Sequence, residues 1–167
     1  EETLWEYLKD ALSEAAERFV QSRIVEGENL KKDLLLKLDE MNELVSEIEK
    51  KSPEIIADYK ARLIDKVQEL AANTQIDEQR IATEVTLFAD KVCVDEEIVR
   101  LKSHIAGTKS ILLEGDAVGR KLDFIAQEMN REANTILSKS NSLDISDIGI
   151  NLKTEIEKVR EQIQNIE

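Results

Sequence analysis

Apolar residues recur along this chain at spacings of three and four, the pattern of helices that each bury one stripe. Leu8, Leu12, Ala15 and Phe19 open a seam that resumes with Leu30, Leu34, Leu38, Met41, Val45 and Ile48. Before Pro53 there is no proline, and Gly27 is the one glycine, so the pattern predicts a very long helix near 2–50, on the order of 75 Å, ended by Pro53. Ser52 and Pro53 then read as the start of a helix over 53–72 with Ile56, Leu63, Val67 and Leu70 inward. Residues 73–76 read as a turn, and Asp77 as the cap of a helix over 78–92 with Ile81, Val85, Phe88 and Val92 inward. Asp95 is the expected cap of a helix over 96–113, with Ile98, Leu101, Ile105 and Leu112 on its core face. A loop over 113–119 turns this helix back as an antiparallel hairpin against one over 120–138, where Leu122, Ile125, Ala126, Met129, Ala133 and Ile136 form the stripe. The Ser-rich stretch SKSNSLDISDIG reads as a loop, and Leu152, Ile156, Val159, Ile163 and Ile166 predict a last helix over 147–166. The fold class is therefore all-α: a very long N-terminal helix packed with a bundle of antiparallel helices through coiled-coil-like seams, in one domain over 1–167.

Polar residues interrupt the pattern in three places. The seam of the first helix breaks at Ser22 and Glu26, flanked by Arg23, Gly27 and Asn29, with Asp33 one heptad on. Such a break either sets register or faces a site. On the 120–138 helix, Asp123, Gln127, Asn130 and Asn134 recur on one face. Asn and Asp are poor residues in a helix interior, so the stripe implies a specific bonded partner, either a neighbouring helix or a ligand. On the 96–113 helix, Glu97, Arg100 and His104 share a flank; a lone helix histidine is by default a satisfied polar residue, yet its side chain is the one suited to proton transfer near neutral pH. Arg80 and Glu84 read as an ordinary surface pair.

Charge narrows the choices. The net charge of −13 argues against passive binding of nucleic acid, which draws on clustered Lys and Arg. The excess is uneven: residues 1–58 hold 16 acidic and 8 basic side chains, whereas 119–139 hold Arg120, Lys121, Arg131 and Lys139 against Asp123, Glu128 and Glu132. The single Cys93 can form no intramolecular disulfide and lacks the companions of a zinc site, which fits a reducing cytoplasm. No apolar run reaches membrane length. Phosphate-binding loops, GxSxG, HExxH and paired CxxC motifs are absent.

The run GRKLDFIAQEMNREANTILSKS, followed by the ending KTEIEKVREQIQNIE, resembles the C-terminal signature of the YicC family of bacterial stress-associated endoribonucleases. LWEYLKDAL, RIVEGENLKKDL and FADKVCVDEEIVRLKSH precede it in the family's order, so the resemblance covers essentially the whole chain, with its signature motifs at 93–139 and 147–167. Members carry a mixed α/β domain before the LWEYL motif, which implies that this chain is the C-terminal portion of a longer protein. The resemblance further implies a cytoplasmic, metal-dependent endoribonuclease that cuts RNA in single-stranded or loop regions, serves RNA turnover or stress response, and assembles as a ring-like homo-oligomer, a hexamer. Cleaving a phosphodiester needs a base, positive charge on the phosphate oxygens, and an acid or metal at the leaving group. With that reaction in view, His104, Glu97, Glu128 and Arg100 are the expected catalytic set; Asp123, Glu128, Glu132 and Glu97 the expected oxygen ligands for Mn2+ or Mg2+; and Arg23, Arg120, Arg131, Asn130, Asn134 and Lys139 the expected RNA contacts. The rival expectation is an acidic, oligomeric helical scaffold or adaptor in which Asp123, Asn130 and Asn134 merely set register.

Overall fold

The computed structural model describes residues 2–70, 77–115 and 119–166. They form five helices: α1 (Glu2–Leu70), α2 (Glu78–Val92), α3 (Asp95–Glu114), α4 (Gly119–Lys139) and α5 (Leu143–Ile163), with no strand among the described residues. None of these helices is long and apolar enough to cross a membrane. The middle of α1 packs with α3, α4 and α5: α5 lies on both α4 and α1, α3 on both α4 and α1, and α2 runs beside the far part of α1. The expected stripes supply the core. Leu34, Leu38, Met41, Val45 and Ile48 of α1 meet Ile98, Leu101 and Ile105 of α3, Leu122, Met129 and Ile136 of α4, and Leu152, Ile156 and Val159 of α5 in one cluster. The seam of the last helix is thus closed inside the chain, by the long first helix and α4.

Ahead of Leu30 the same seam is uncovered. Every residue over 3–29 is exposed, including Leu8, Leu12 and Phe19. At the other end, Tyr59 of α1 stacks on Phe88 of α2 with ring centroids 3.7 Å apart, which seats α2.

Four boundaries differ from the sequence expectation. Pro53 does not end a helix: α1 continues through it as one element to Leu70. Proline removes one amide donor from the ladder. Here Pro53 and Glu49 are both exposed, so the carbonyl left without a partner can turn to water. Asp95 is not a cap but the first residue of α3; the buried Val94 holds the N-cap position, where its hydrocarbon side chain can accept no bond, and Asp95, Glu96 and Glu97 supply negative charge to the first turn. The stretch expected as a loop before α5 is largely helix from Leu143, since Ile145 and Ile148 extend the buried stripe backwards from Leu152. Finally α3 runs to Glu114 and closes on Gly115, whose φ of 75° lies in the left-handed region that glycine accepts. The turn expected over 73–76 lies outside the described residues. Asp77 caps α2 as expected, accepting from the amides of Gln79 and Arg80.

Candidate active site on the α3–α4 hairpin

Because α3 and α4 run antiparallel with their apolar stripes facing the core, the residues beside those stripes meet along one edge. Near the start of α3, Glu97 is buried, and its Oε1 accepts from Lys139 Nζ at the end of α4 at 2.8 Å. The same ammonium donates to the Cys93 carbonyl at 2.9 Å, tying the last turn of α4 to the corner between α2 and α3. One turn further, Arg100 donates through Nη1 to Oε1 of the buried Glu132 at 3.3 Å and through Nη2 to Glu96. The bond to Glu132, and then the charge of Glu96, raise the Arg100 pKa above its ordinary value, so this guanidinium stays charged wherever the protein is folded.

Carried one turn further by helix periodicity, the register that sets Glu97 against Lys139 and Arg100 against Glu132 puts His104 of α3 level with Glu128 of α4. His104 is half-buried. Its carbonyl accepts from the Thr108 hydroxyl, while its imidazole makes no hydrogen bond among the described residues. Glu128 is half-buried as well, 4.0 Å from the exposed Arg131 on its own helix. This edge therefore gathers Glu97, Arg100, His104, Glu128, Glu132 and Lys139, which are carboxylates, two cations and the only imidazole of the chain.

The polar stripe of α4 lies on its other flank. At about 3.6 residues per turn Asp123 falls half a turn from Glu132. Its Oδ1 accepts from Arg160 of α5 at 3.1 Å and its Oδ2 from Gln127 at 2.7 Å. Asn130 donates to Glu157, Asn134 donates to Asn130 at 3.0 Å, and Lys153 donates to Asn134 at 2.8 Å. The stripe is thus a hydrogen-bonded seam between α4 and α5, the neighbouring-helix alternative. A groove of about 580 Å³ runs along it, lined by Arg131, Thr135 and Ser138 together with the seam itself.

The expected residues therefore separate into three places. Glu97, Arg100, His104, Glu128, Glu132 and Lys139 share the α3–α4 edge; Asp123, Asn130 and Asn134 belong to the α4–α5 seam; Arg23 lines a cleft beside α1, far along the chain from both. Arg120 is exposed at the start of α4. Asp123 stands across the helix from Glu128 and Glu132, while Glu97 and Glu132 are engaged by cations. The four carboxylates do not fit one shared metal within a chain, and no group of three or more metal-binding side chains gathers among the described residues. Sequence reasoning missed the partners: Glu157, Arg160 and Lys153 as the other half of the seam, and the pairing of Lys139 with Glu97. The signal for Lys139 with Glu97 was the antiparallel hairpin, which sets the first turn of α3 against the last turn of α4; the α5 partners had no such signal.

Comparison with known proteins decides the affiliation. A profile described as "Endoribonuclease YicC-like, C-terminal" matches residues 48–167, well over half of the chain and all of the α3–α4 edge. The chain belongs to the YicC-like endoribonuclease family. It is 44% identical, over an alignment of 168 positions that takes in the whole of this chain, to a protein of Clostridioides difficile (strain 630) named "Probable endoribonuclease YicC", of which it covers 57%. It is 40% identical over 149 residues, 89% of this chain, to a protein of the same name from Haemophilus influenzae (strain ATCC 51907 / DSM 11121 / KW20 / Rd), of which it covers 51%. The chain thus spans just over half the length of these YicC relatives, and the family profile places its helices at the C-terminal side.

Proposed function

We propose that the protein of which this chain is part is an endoribonuclease that cuts RNA in single-stranded or loop regions, in the cytoplasm, as part of RNA turnover or stress response. The observation that carries the reading is the α3–α4 edge in a chain of YicC family membership: the single imidazole, His104, stands level with Glu128 in a row that also holds Arg100 and Lys139. His104 takes or gives the proton at the ribose hydroxyl or leaving oxygen. Arg100 supplies fixed positive charge toward the non-bridging oxygens, and the buried Glu132 holds it in place. Glu97 does the same for Lys139. Arg23, Arg120 and Arg131 extend the contact with RNA; Asn130 and Asn134 present whatever their seam leaves open. Mn2+ or Mg2+ belongs to the proposal as a requirement of the reaction, but the carboxylates do not fit one ion within a chain, so no step is assigned to it. The assembly we propose is a homo-oligomer, a hexamer in keeping with the family resemblance, joined through the first turns of α1 around Leu4, Trp5, Leu8 and Leu12.

The test is cleavage of an end-labelled stem-loop RNA by the full-length protein. Cuts should fall in the loop with Mn2+ or Mg2+ present and stop with EDTA. His104→Ala should slow cleavage by roughly 10²-fold or more while helical content is retained. Parent-rate cleavage by both His104→Ala and Glu128→Gln would remove the assignment. The scaffold reading has one observation in its favour, that the Asn and Asp stripe of α4 is spent on holding α5, and it would then stand in its place.

A further inference from the structure

A cleft of about 1030 Å³ opens where α1 leaves the bundle. One wall is the stretch of α1 around Phe19, Arg23 and Asn29; the other is the end of α3 with the C-terminal turn, where Gln162, Gln164 and Asn165 stand. That turn is held by a close approach: a Cβ on Gly119 would lie 2.6 Å from the Ile166 carbonyl oxygen, so the chain end is seated on the backbone of α4. We propose that this cleft takes up unpaired nucleobases of single-stranded RNA, reading them with the carboxamides of Asn29, Gln162, Gln164 and Asn165 and stacking one on Phe19. The proposal deepens the endoribonuclease reading and rests on it.

Two groups of carboxamides in this chain differ in their bonding. Those of α4, Gln127, Asn130 and Asn134, are all bonded to neighbours in the α4–α5 seam. Those of the cleft are not. Asn29, Gln162 and Gln164 make no side-chain hydrogen bond among the described residues, and Asn165 donates only a long one, 3.4 Å, back to the Glu161 carbonyl. A carboxamide carries a donor and an acceptor side by side, which matches the edge of a base as it matches no phosphate. The charge of the cleft points the same way. The charged lining, Arg23 and Lys31 with Glu26, Glu28 and Asp33, lies on the α1 wall alone with an acidic excess, which would leave phosphates to the solvent side. The apolar share suits the flat faces: Phe19 is 66% exposed and Ile24 is 54% exposed, beside the half-buried Leu30. The volume lies at the upper end of small-ligand sites, roughly 300–1,000 Å³, and so admits more than a single base.

The experiment uses the full-length protein and short labelled RNA homopolymers of A, C and U, about eight nucleotides long. Binding is read by fluorescence anisotropy in EDTA, with probe integrity checked on a gel. The parent should distinguish the homopolymers. Gln162→Ala with Asn165→Ala should weaken the preferred one about tenfold and bring the three affinities together, without altering their salt dependence; Phe19→Ala should weaken all three by a similar factor. Each position is exposed or half-buried, and circular dichroism should show unchanged helicity. If the variants keep the parent's affinities and preference while the parent still cleaves RNA, the cleft assignment fails and the endoribonuclease reading survives. Altered sedimentation with unaltered RNA preference would make the cleft a protein contact instead and overturn the proposal. A parent that neither binds nor cuts RNA would sink both.

Discussion

Glu97 has one carboxylate oxygen bonded to Lys139 and the other buried without a hydrogen-bond partner among the described residues. A charge so placed is tolerated because the ammonium sits on it, and removing the ammonium leaves the carboxylate uncompensated. Lys139→Met should therefore destabilise the protein by about 2 kcal/mol, less than the 3–5 kcal/mol of a fully buried pair because Lys139 is partly solvated. Adding Glu97→Leu should restore most of that loss, since an apolar pair of similar volume needs no compensation. Urea midpoints for the parent, the two single variants and the double variant measure the coupling; two losses that simply add would show that the pair is not a unit. Glu132 differs because Arg100 also bonds Glu96 and is kept charged by both, so its contact should be insensitive to pH across the neutral range.

At the scale of elements, Pro53 separates what local rules say from what packing decides. Inside a helix it costs about 3 kcal/mol relative to alanine, yet α1 passes through it, because Val45 and Ile48 before it are buried in the bundle and Tyr59 after it is stacked on Phe88. Pro53→Ala should raise the unfolding free energy by about 1–3 kcal/mol with no change in helical content. A fall in stability would mean that the helix does break there. The same contest explains how much could be read beforehand. The stripes of α2, α3 and α4 were legible because spacings of three and four mark the buried face directly, and Asp77 was legible because its cap is local. The start of α5 was not, since Ser and Asp around Ile145 and Ile148 look like a loop until α1 and α4 are there to bury the isoleucines. The α4 polar stripe was visible as an oddity, but spacing names a face and not its neighbour. Only the placement of α5 shows that Arg160 and Glu157 are the partners of Asp123 and Asn130. His104 was legible as a candidate through its rarity and the family motif, whereas the register that aligns it with Glu128 depends on tertiary pairing.

For the molecule as a whole, the first half of α1 is the part that its own chain does not explain. Over residues 3–29 nothing is buried, and Leu4, Trp5, Leu8 and Leu12, ahead of the cleft, are each more than half exposed. A lone helix keeps its shape in water only marginally, and most helical stability in proteins comes from packing of an apolar face. Contiguous apolar surface of this extent marks an association site. The last helix offers no such surface, because its seam is closed by α1 and α4. Association of the full-length protein should therefore depend on the near part of α1 and be insensitive to changes on the outer face of α5. Leu8→Glu combined with Leu12→Glu should shift sedimentation equilibrium toward the monomer at concentrations of tens of micromolar, roughly ordinary working values, and should reduce helicity by melting the released segment. Ile150→Glu, on the exposed side of α5, should leave the assembly unchanged. An unchanged oligomer in the α1 variant would place the contact elsewhere in the full-length protein, and a parent that is already monomeric would remove the assembly from the proposal.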